Sequence, residues 1–234
     1  MIDVHCHMLP GIDDGSKNID MSLTMLKSSY EQGIEGVIFT PHFYADIDTP
    51  DGFLARRDEA LHHLEQAIRE TNAVTPGYVA GAEVHFYRGI SRSDDLERLT
   101  IGNSNYILIE MPFRHWQTPF VEEIEEIAHI SGLNVIIAHI ERYLDQDRKL
   151  VKRIMDNPKL LIQCNAEFFI EEPRKALKML KHDKIDLLGS DSHNMGSRRP
   201  NIREALNIIE DKRLSAKLQN IEYNSRNIFE QAIS

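Results

Sequence analysis

The chain begins Met1-Ile2-Asp3-Val4-His5-Cys6-His7-Met8-Leu9-Pro10-Gly11-Ile12-Asp13-Asp14-Gly15. Its first residues form an apolar strand that ends in an H-x-H pair. Side chains alternate along an extended chain, so His5 and His7 project from one face and Val4 and Cys6 from the other. Two imidazoles at a strand end, just ahead of a Pro-Gly turn, supply part of a metal site. Asp13 and Asp14 add carboxylates in the following loop. The pair gains meaning only if other segments deliver the remaining ligands.

Six further apolar segments recur along the chain: Val37–Thr40, Tyr78–Ala82, Tyr106–Met111, Asn134–Ala138, Leu160–Cys164 and Ile185–Gly189. With Ile2–His5 they make seven, most of them rich in Ile, Val and Leu, as parallel strands buried on both faces are. Helical patterns separate them. Ile19–Gly33 carries an apolar stripe through Met21, Met25 and Leu26 and has a glycine where a C-cap belongs. Phe53–Ala73 shows Leu54, Leu61, Leu64 and Ile68 on one side, and Pro119–Ser131 starts with proline and ends before Gly132. Further helices are predicted over Arg148–Asp156, Glu172–His182, Pro200–Leu218 with a break near Asp211, and Ser225–Ile233. The acidic stretch Asp46–Asp51 reads as an exposed loop. Strand–helix alternation of this kind defines an α/β fold with parallel strands, either a barrel or an open sheet. With no low-complexity linker, residues 1–234 read as a single domain.

Almost every predicted strand ends in a side chain able to bind a metal. Thr40-Pro41-His42, Gly81-Ala82-Glu83, Ile109-Glu110-Met111, Ala138-His139 and Ser190-Asp191-Ser192-His193 follow in order. Sites in parallel α/β folds form at the carboxyl ends of strands, where these residues fall. The remaining histidines (His62, His63, His115, His129, His182) fall mostly elsewhere, and His85 shares a face with Glu83 if that strand continues. His5, His7, His42, Glu83, Glu110, His139, Asp191, His193 and one of Asp13 or Asp14 make nine candidate ligands, enough for two or three ions. Imidazole mixed with carboxylate, without thiolate, suits Mn, Zn or Fe. Gln163-Cys164-Asn165, at the end of the sixth segment, brings amides that support ligands or contact substrate.

The formal net charge of −10 removes the basic track that sequence-independent nucleic-acid binding needs. The chain shows neither a signal-peptide pattern nor an apolar run long enough to span a bilayer. Cys6 and Cys164 give no disulfide framework, so a reducing cytoplasm is expected. Neither is a phosphatase nucleophile, because the phosphate-loop arginine six positions on is replaced by Ile12 and Ile170. Both read as small buried apolar residues. Arg142, three residues past His139, and Arg198-Arg199, shortly after His193, offer planar donor forks suited to phosphate oxygens; Glu141 is a rival partner for Arg142. Phe113-Arg114-His115-Trp116 is a candidate aromatic lining, with Trp116 equally suited to packing.

The set His5-x-His7, Asp14, His42, Glu83, Glu110, His139 and Asp191-x-His193 resembles the polymerase and histidinol phosphatase (PHP) superfamily. Within it, Met1-Ile-Asp-Val-His5, Asp13-Asp14-Gly15, Gly81-Ala-Glu83, Ala138-His-Ile-Glu-Arg142 and Ser190-Asp-Ser-His-Asn194 are similar to the CpsB/YwqE-type manganese-dependent tyrosine-protein phosphatases of Gram-positive bacteria. The resemblance implies a distorted (β/α)7 barrel and a trinuclear site. It places His5, His7, Glu83 and Asp191 around one ion, Glu83, Glu110 and His139 around a second, and Asp14, His42 and His193 around a third. It selects Asp14 over Asp13, which spacing alone leaves open, and sets Arg142 and Arg198 on phosphate. His85 stands where tyrosine is commoner in that branch.

The implied activity is hydrolysis of phosphotyrosine on proteins by metal-activated hydroxide, with Mn2+ as the cofactor ahead of Fe or Zn and with an ion, Asp14 or His42 assisting the leaving group. The implied partner is a bacterial tyrosine autokinase controlling capsule or exopolysaccharide synthesis; self-association is left open. The nearest rival is a PHP phosphatase of a small metabolite such as histidinol phosphate, and a more distant one is a metal-dependent nuclease.

Overall fold

A computed structural model describes residues 1–130 and 132–234, with Ile130 described by its backbone; Ser131, the last residue of one predicted helix, lies outside the described residues. Among the described residues, nine parallel strands form two sheets. β1 (Ile2–Cys6), β2 (Gly36–Phe39) and β4 (Gly77–Ala80) make the first, in the order β1-β2-β4. β3 (His42–Phe43), β5 (Glu83–His85), β6 (Tyr106–Glu110), β7 (Asn134–Ile137), β8 (Leu160–Asn165) and β9 (Leu187–Gly189) make the second, in that order.

The second and third strands of the sequence reading are thus each broken in two. Thr40-Pro41 separates β2 from β3, and Gly81-Ala82 separates β4 from β5. Proline has no N–H to give a ladder, and glycine weakens one. Hydrogen bonds still cross the breaks, from Gly81 N to Phe39 O at 2.8 Å and from Glu83 N to Pro41 O at 3.0 Å. Each pair therefore occupies one place in a curled sheet of seven positions. The break is what turns His42 and Glu83 toward the centre.

The ring closes where the first strand meets the last. His7 N donates to Ser192 O at 2.9 Å and Asp191 N to His5 O at 2.8 Å, beside a parallel bridge between Cys6 and Ser192. Asp3 pins the same seam, since its buried carboxylate accepts from Ser190 N at 2.9 Å and His5 N at 3.3 Å. Burial pushes the Asp3 carboxyl up to about 6. The pairing of β1 with β2 shifts register between Asp3 and Cys6. This corrects the simple alternation read from the sequence. Val4 packs in one apolar cluster with Ile2, Ile38, Leu108 and Leu187, while Cys6 packs in another with Phe39, Ile107 and Ile109. An extra residue in one strand of a pair re-aims its neighbours in this way.

Helices alternate with the strands. α1 (Ile19–Glu31) is capped by Asn18, whose side chain accepts from Met21 N. α2 (Pro50–Thr71) begins three residues earlier than the apolar stripe indicates, because Thr49 caps it and Pro50 suits the first turn. Part of the expected Asp46–Asp51 loop is therefore helix. α3 (Thr118–Ile130), α4 (Arg148–Met155), α5 (Ala166–Glu171), α6 (Pro173–Lys181), α7 (Ile202–Asp211) and α8 (Ser215–Ile233) follow. α5 was not anticipated, and the last helix reaches back ten residues further than predicted. α8 lies against the strand starts: Gly36 and Gly77 face the Phe229 ring, and Asn103 N bonds Ala232 O at 2.9 Å. One end of the ring is thereby covered, and the strand ends gather at the other.

Gly189 sits on this seam. A Cβ there would come within 2.6 Å of the His5 Cβ and 2.9 Å of the Gln163 amide nitrogen. Gly189→Ala is expected to destabilise the chain by about 1–3 kcal/mol through overpacking, measured by urea unfolding; unchanged stability would show that the seam gives freely.

Candidate metal centre

Strand ends bring all nine of the predicted ligands together. His5 Nε2 and His7 Nε2 lie 3.2 Å apart, and each is 3.2 Å from Glu83 Oε2. Asp191 Oδ1 completes this group at 3.6 Å from His5 and 3.4 Å from His7. His139 Nε2 stands 2.9 Å from Glu83 Oε1 and 3.3 Å from Glu110 Oε1. His42 Nε2 and His193 Nε2 approach Asp14 Oδ1 at 3.5 and 3.3 Å, while His42 Nδ1 lies 3.0 Å from Glu83 Oε2. Glu83 is thus shared between groups. Ligands held 2.0–2.2 Å from one ion at tetrahedral angles stand about 3.3 Å apart, so the spacing matches coordination.

The donor set also fits a metal electrostatically. Buried polar atoms normally find partners. Among the described residues, Glu83 Oε2, Asp191 Oδ1, His42 Nδ1, His139 Nδ1 and His193 Nε2 are buried with no hydrogen-bond partner. Burial works to raise the Glu83 and Asp191 carboxyls, yet the neighbouring imidazoles, His5 first, hold both well below the carboxylate range. Burial opposes charge on His139, but Glu110 and Glu83 pull its imidazole up to about 9. His193 goes the other way, down to about 4, through burial and the charge of His7. Buried carboxylates kept ionised beside imidazole atoms that lack partners make a donor set suited to cations.

Several neighbours fix these ligands. Asp13 is not among the converging donors. Its carboxylate accepts from His7 Nδ1 at 2.7 Å, Gly15 N at 2.9 Å and His42 N at 3.1 Å, so it aims two histidines while Asp14 faces the cluster. Gly15 is required there, because a Cβ would lie 2.2 Å from the His7 carbonyl oxygen. On β8, Gln163 Oε1 accepts from His5 Nδ1 at 3.2 Å and His139 N at 2.6 Å, which leaves Nε2 of His5 free to face the centre. Asn165 Nδ2 donates to Asp191 Oδ2 at 2.9 Å. Carboxylate and amide partners of this kind orient metal-binding imidazoles. His139 and Asp191 both adopt left-handed backbone, with φ of 30° and 50°, a conformation costly outside glycine that clusters at functional sites.

The two arginines meet on one atom. Arg142 Nη2 and Arg198 Nη2 both pair with Asp191 Oδ2, the latter at 2.7 Å, and each side chain stays about one-third exposed. Glu141, the rival partner read from the sequence, is half-buried and accepts instead from Asn165 N. His85 Nδ1 donates to Glu110 Oε2 at 2.8 Å. Tyr44, which sequence reasoning passed over, places its ring 5.3 Å from His42 and 5.2 Å from His85; its place two residues after His42 was the available signal. Trp116 is a packing residue, buried, 5.1 Å from the Tyr143 ring and bonded through its indole N–H to Pro112 O. Both cysteine thiols are buried, and burial pushes them up, so neither is a nucleophile.

A curled ring of parallel strands with a His/Asp/Glu cluster at their carboxyl ends defines an α/β barrel with a candidate metal site. The family profile for capsular polysaccharide synthesis, CpsB/CapC, matches residues 1–230, and the chain belongs to that family. Tyrosine-protein phosphatase CpsB of Streptococcus pneumoniae is 27% identical over 226 residues, covering 91% of this chain and 90% of the relative. Tyrosine-protein phosphatase YwqE of Bacillus subtilis (strain 168) is 29% identical over 227 residues, covering 90% and 84%. A solved chain from crystal structures of YwqE from Bacillus subtilis and CpsB from Streptococcus pneumoniae, described as unique metal-dependent tyrosine phosphatases, superposes with a TM-score of 0.84 at 24% identity, over 99% of this chain and 95% of the other. The phosphotriesterase homology protein from Escherichia coli, with phosphate in its active site, shares the fold more distantly, with a TM-score of 0.53 at 14% identity over 96% and 97%.

Asp13→Asn is expected to lower metal affinity roughly 10–100-fold, the usual effect of losing an orienting partner, with the fold retained by circular dichroism. Chelator competition with Mn2+ measures it; undiminished affinity would show that Asp13 does not aim His7.

Proposed function

We propose that the chain is a metal-dependent protein-tyrosine phosphatase. The observation that carries this reading is the convergence of Arg142 and Arg198 on Asp191, at the edge of a cluster of nine metal-competent side chains. The names of the relatives support it, since both CpsB and YwqE are tyrosine-protein phosphatases. His5, His7, Glu83 and Asp191 would hold one ion, Glu83, Glu110 and His139 a second, and Asp14, His42 and His193 a third. Mixed imidazole and carboxylate donors favour Mn2+, with Fe or Zn as substitutes. Bound divalent ions supply Lewis acidity and lower the pKa of water from about 15.7 toward about 7.

The residues of the chain do the rest. Arg142 and Arg198 swing their outer N–H groups from Asp191 to the phosphoryl oxygens, in the planar fork that suits them. Asp191 keeps Asn165 as a donor when they do. The attacking oxygen approaches in line with the tyrosine oxygen; its bond to phosphorus forms as the bond to tyrosine breaks. Tyrosine leaves with a pKa of about 10, and a proton from solvent at the open side, where Asp14 and His42 lie 3.5 Å apart, completes its departure.

A protein substrate needs an open mouth. Asp14 is 65% exposed and Phe113 57% exposed at the strand ends, which favours a phosphotyrosine loop over a small metabolite enclosed by a lid. The charge of −10 disfavours a nuclease. By the family's description the pathway is capsular polysaccharide synthesis, and the substrate we infer is a tyrosine autokinase acting in it. We place the reaction in the cytoplasm, where two buried thiols stay reduced. Residues 1–234 would act as one catalytic domain, because first and last strands both supply ligands. No helix among the described residues is long and apolar enough to cross a membrane.

The test is hydrolysis of phosphotyrosine peptide, histidinol phosphate and single-stranded DNA before and after metal removal, with metal content by mass spectrometry. Phosphotyrosine turnover that vanishes with the metal and returns with Mn2+ is expected; turnover that survives complete metal removal would overturn the reading. Arg142→Ala is expected to keep its metal and lose roughly 100-fold in kcat/KM, as when one transition-state donor is removed.

A further inference from the structure

We propose that Phe113 determines specificity for aryl phosphates by receiving the aromatic ring of the substrate on its exposed face. The inference rests on the phosphatase reading and adds the group that tells phosphotyrosine from shorter alkyl phosphates.

Phe113 lies in the loop after β6, three residues past Glu110. More than half of its surface is exposed, at the mouth of a charged cluster. Its ring runs nearly parallel to the His139 imidazole, at 15° and 6.2 Å between centroids, and stands 5.7 Å from the Tyr143 ring. His139 and Tyr143 bracket the short 3₁₀ turn Ile140–Tyr143, which carries Arg142. The ring therefore stands against the turn that carries the arginine assigned to phosphate, with more than half of its surface toward solvent.

The loop holds it there. Three consecutive carbonyls are tied down: Met111 O accepts from Tyr143 Oη at 2.7 Å, Pro112 O from the Trp116 indole N–H at 3.0 Å, and Phe113 O from Gln146 Nε2 at 3.5 Å. Gln146 Oε1 also accepts from Trp116 N at 2.8 Å. An apolar ring on an anchored loop is already ordered, so it can take a partner ring without a further entropic cost. With its phosphate beside Arg142, a phosphotyrosine ring leaves the centre along this face. Offset or edge-on ring pairs at 4.5–7 Å are favourable, whereas phosphoserine offers nothing to fill the place.

The experiment uses the Mn2+-loaded full chain and titrates phenylphosphonate and methylphosphonate, which are not hydrolysed, into wild type, Phe113→Ala, Phe113→Leu and Phe113→Trp by calorimetry. In parallel it compares kcat/KM for a phosphotyrosine peptide and glycerol phosphate. Phe113→Ala is expected to cut the preference for phenyl over methyl, and for the aryl substrate over the alkyl one, roughly three- to tenfold, with metal content unchanged. Phe113→Trp should restore the preference and Phe113→Leu should not. Equal weakening of both phosphonates, loss of metal, an unchanged preference, or full rescue by leucine would each overturn the proposal. Failure of the phosphatase reading is separate: it would appear as wild-type protein that binds Mn2+ and hydrolyses no phosphotyrosine.

Discussion

Three carboxylates and five imidazoles meet at one end of a barrel, where loss of water penalises charge on every one of them. Burial alone would protonate Glu83 and Asp191; the histidines keep both ionised, and several donor atoms still lack a partner. Much of the surrounding structure answers that problem. Asp13 and Gln163 decide which nitrogen of His7 and His5 faces inward, Asn165 and two arginines neutralise the outer oxygen of Asp191, and the broken strands at Pro41 and Gly81 turn His42 and Glu83 to the centre.

This division of labour separates holding from reacting. β8 contributes no ligand, yet its Gln163 and Asn165 touch His5, His139 and Asp191 and so link three strands of the ring. The residues at the open side are the ones with room to move: Arg142 and Arg198 are about one-third exposed and Asp14 more so, while Glu83 and His5 are fully buried. Buried metal-competent side chains with more exposed arginines at the rim suit the proposed protein substrate.

The barrel and the side chains that converge at its mouth were legible because the chemistry repeats at strand ends. A histidine or acid after each run of Ile, Val and Leu needs no knowledge of distant contacts, and the nine candidates converge. What the sequence hid depended on hydrogen bonds between distant segments. The Asp3–Cys6 register shift arises from pairing with β2 and from the contact of Asp3 with Ser190, so alternation misplaced Val4 relative to Cys6. The break at Thr40-Pro41 carried a visible signal in its proline, whereas Gly81-Ala82 looked like the end of a strand. The respective roles of Asp13 and Asp14 required geometry, since adjacent carboxylates are equivalent in a string of letters. Trp116 and Phe113, neighbours in one loop, part company only when Tyr143 and Gln146 arrive from the next unit of the chain.

The seam between β1 and β9 carries a consequence for how the protein would be governed in a cell. His5 and His7 come from the start of the chain and Asp191 and His193 from near its end, so a cation held between them would clasp the ring shut across nearly the whole sequence. A group that binds only the closed form adds its binding energy to folding. Cellular supply of the ion would then set how much of the protein survives proteolysis as well as how fast each molecule works, and abundance itself would become a gauge of metal sufficiency.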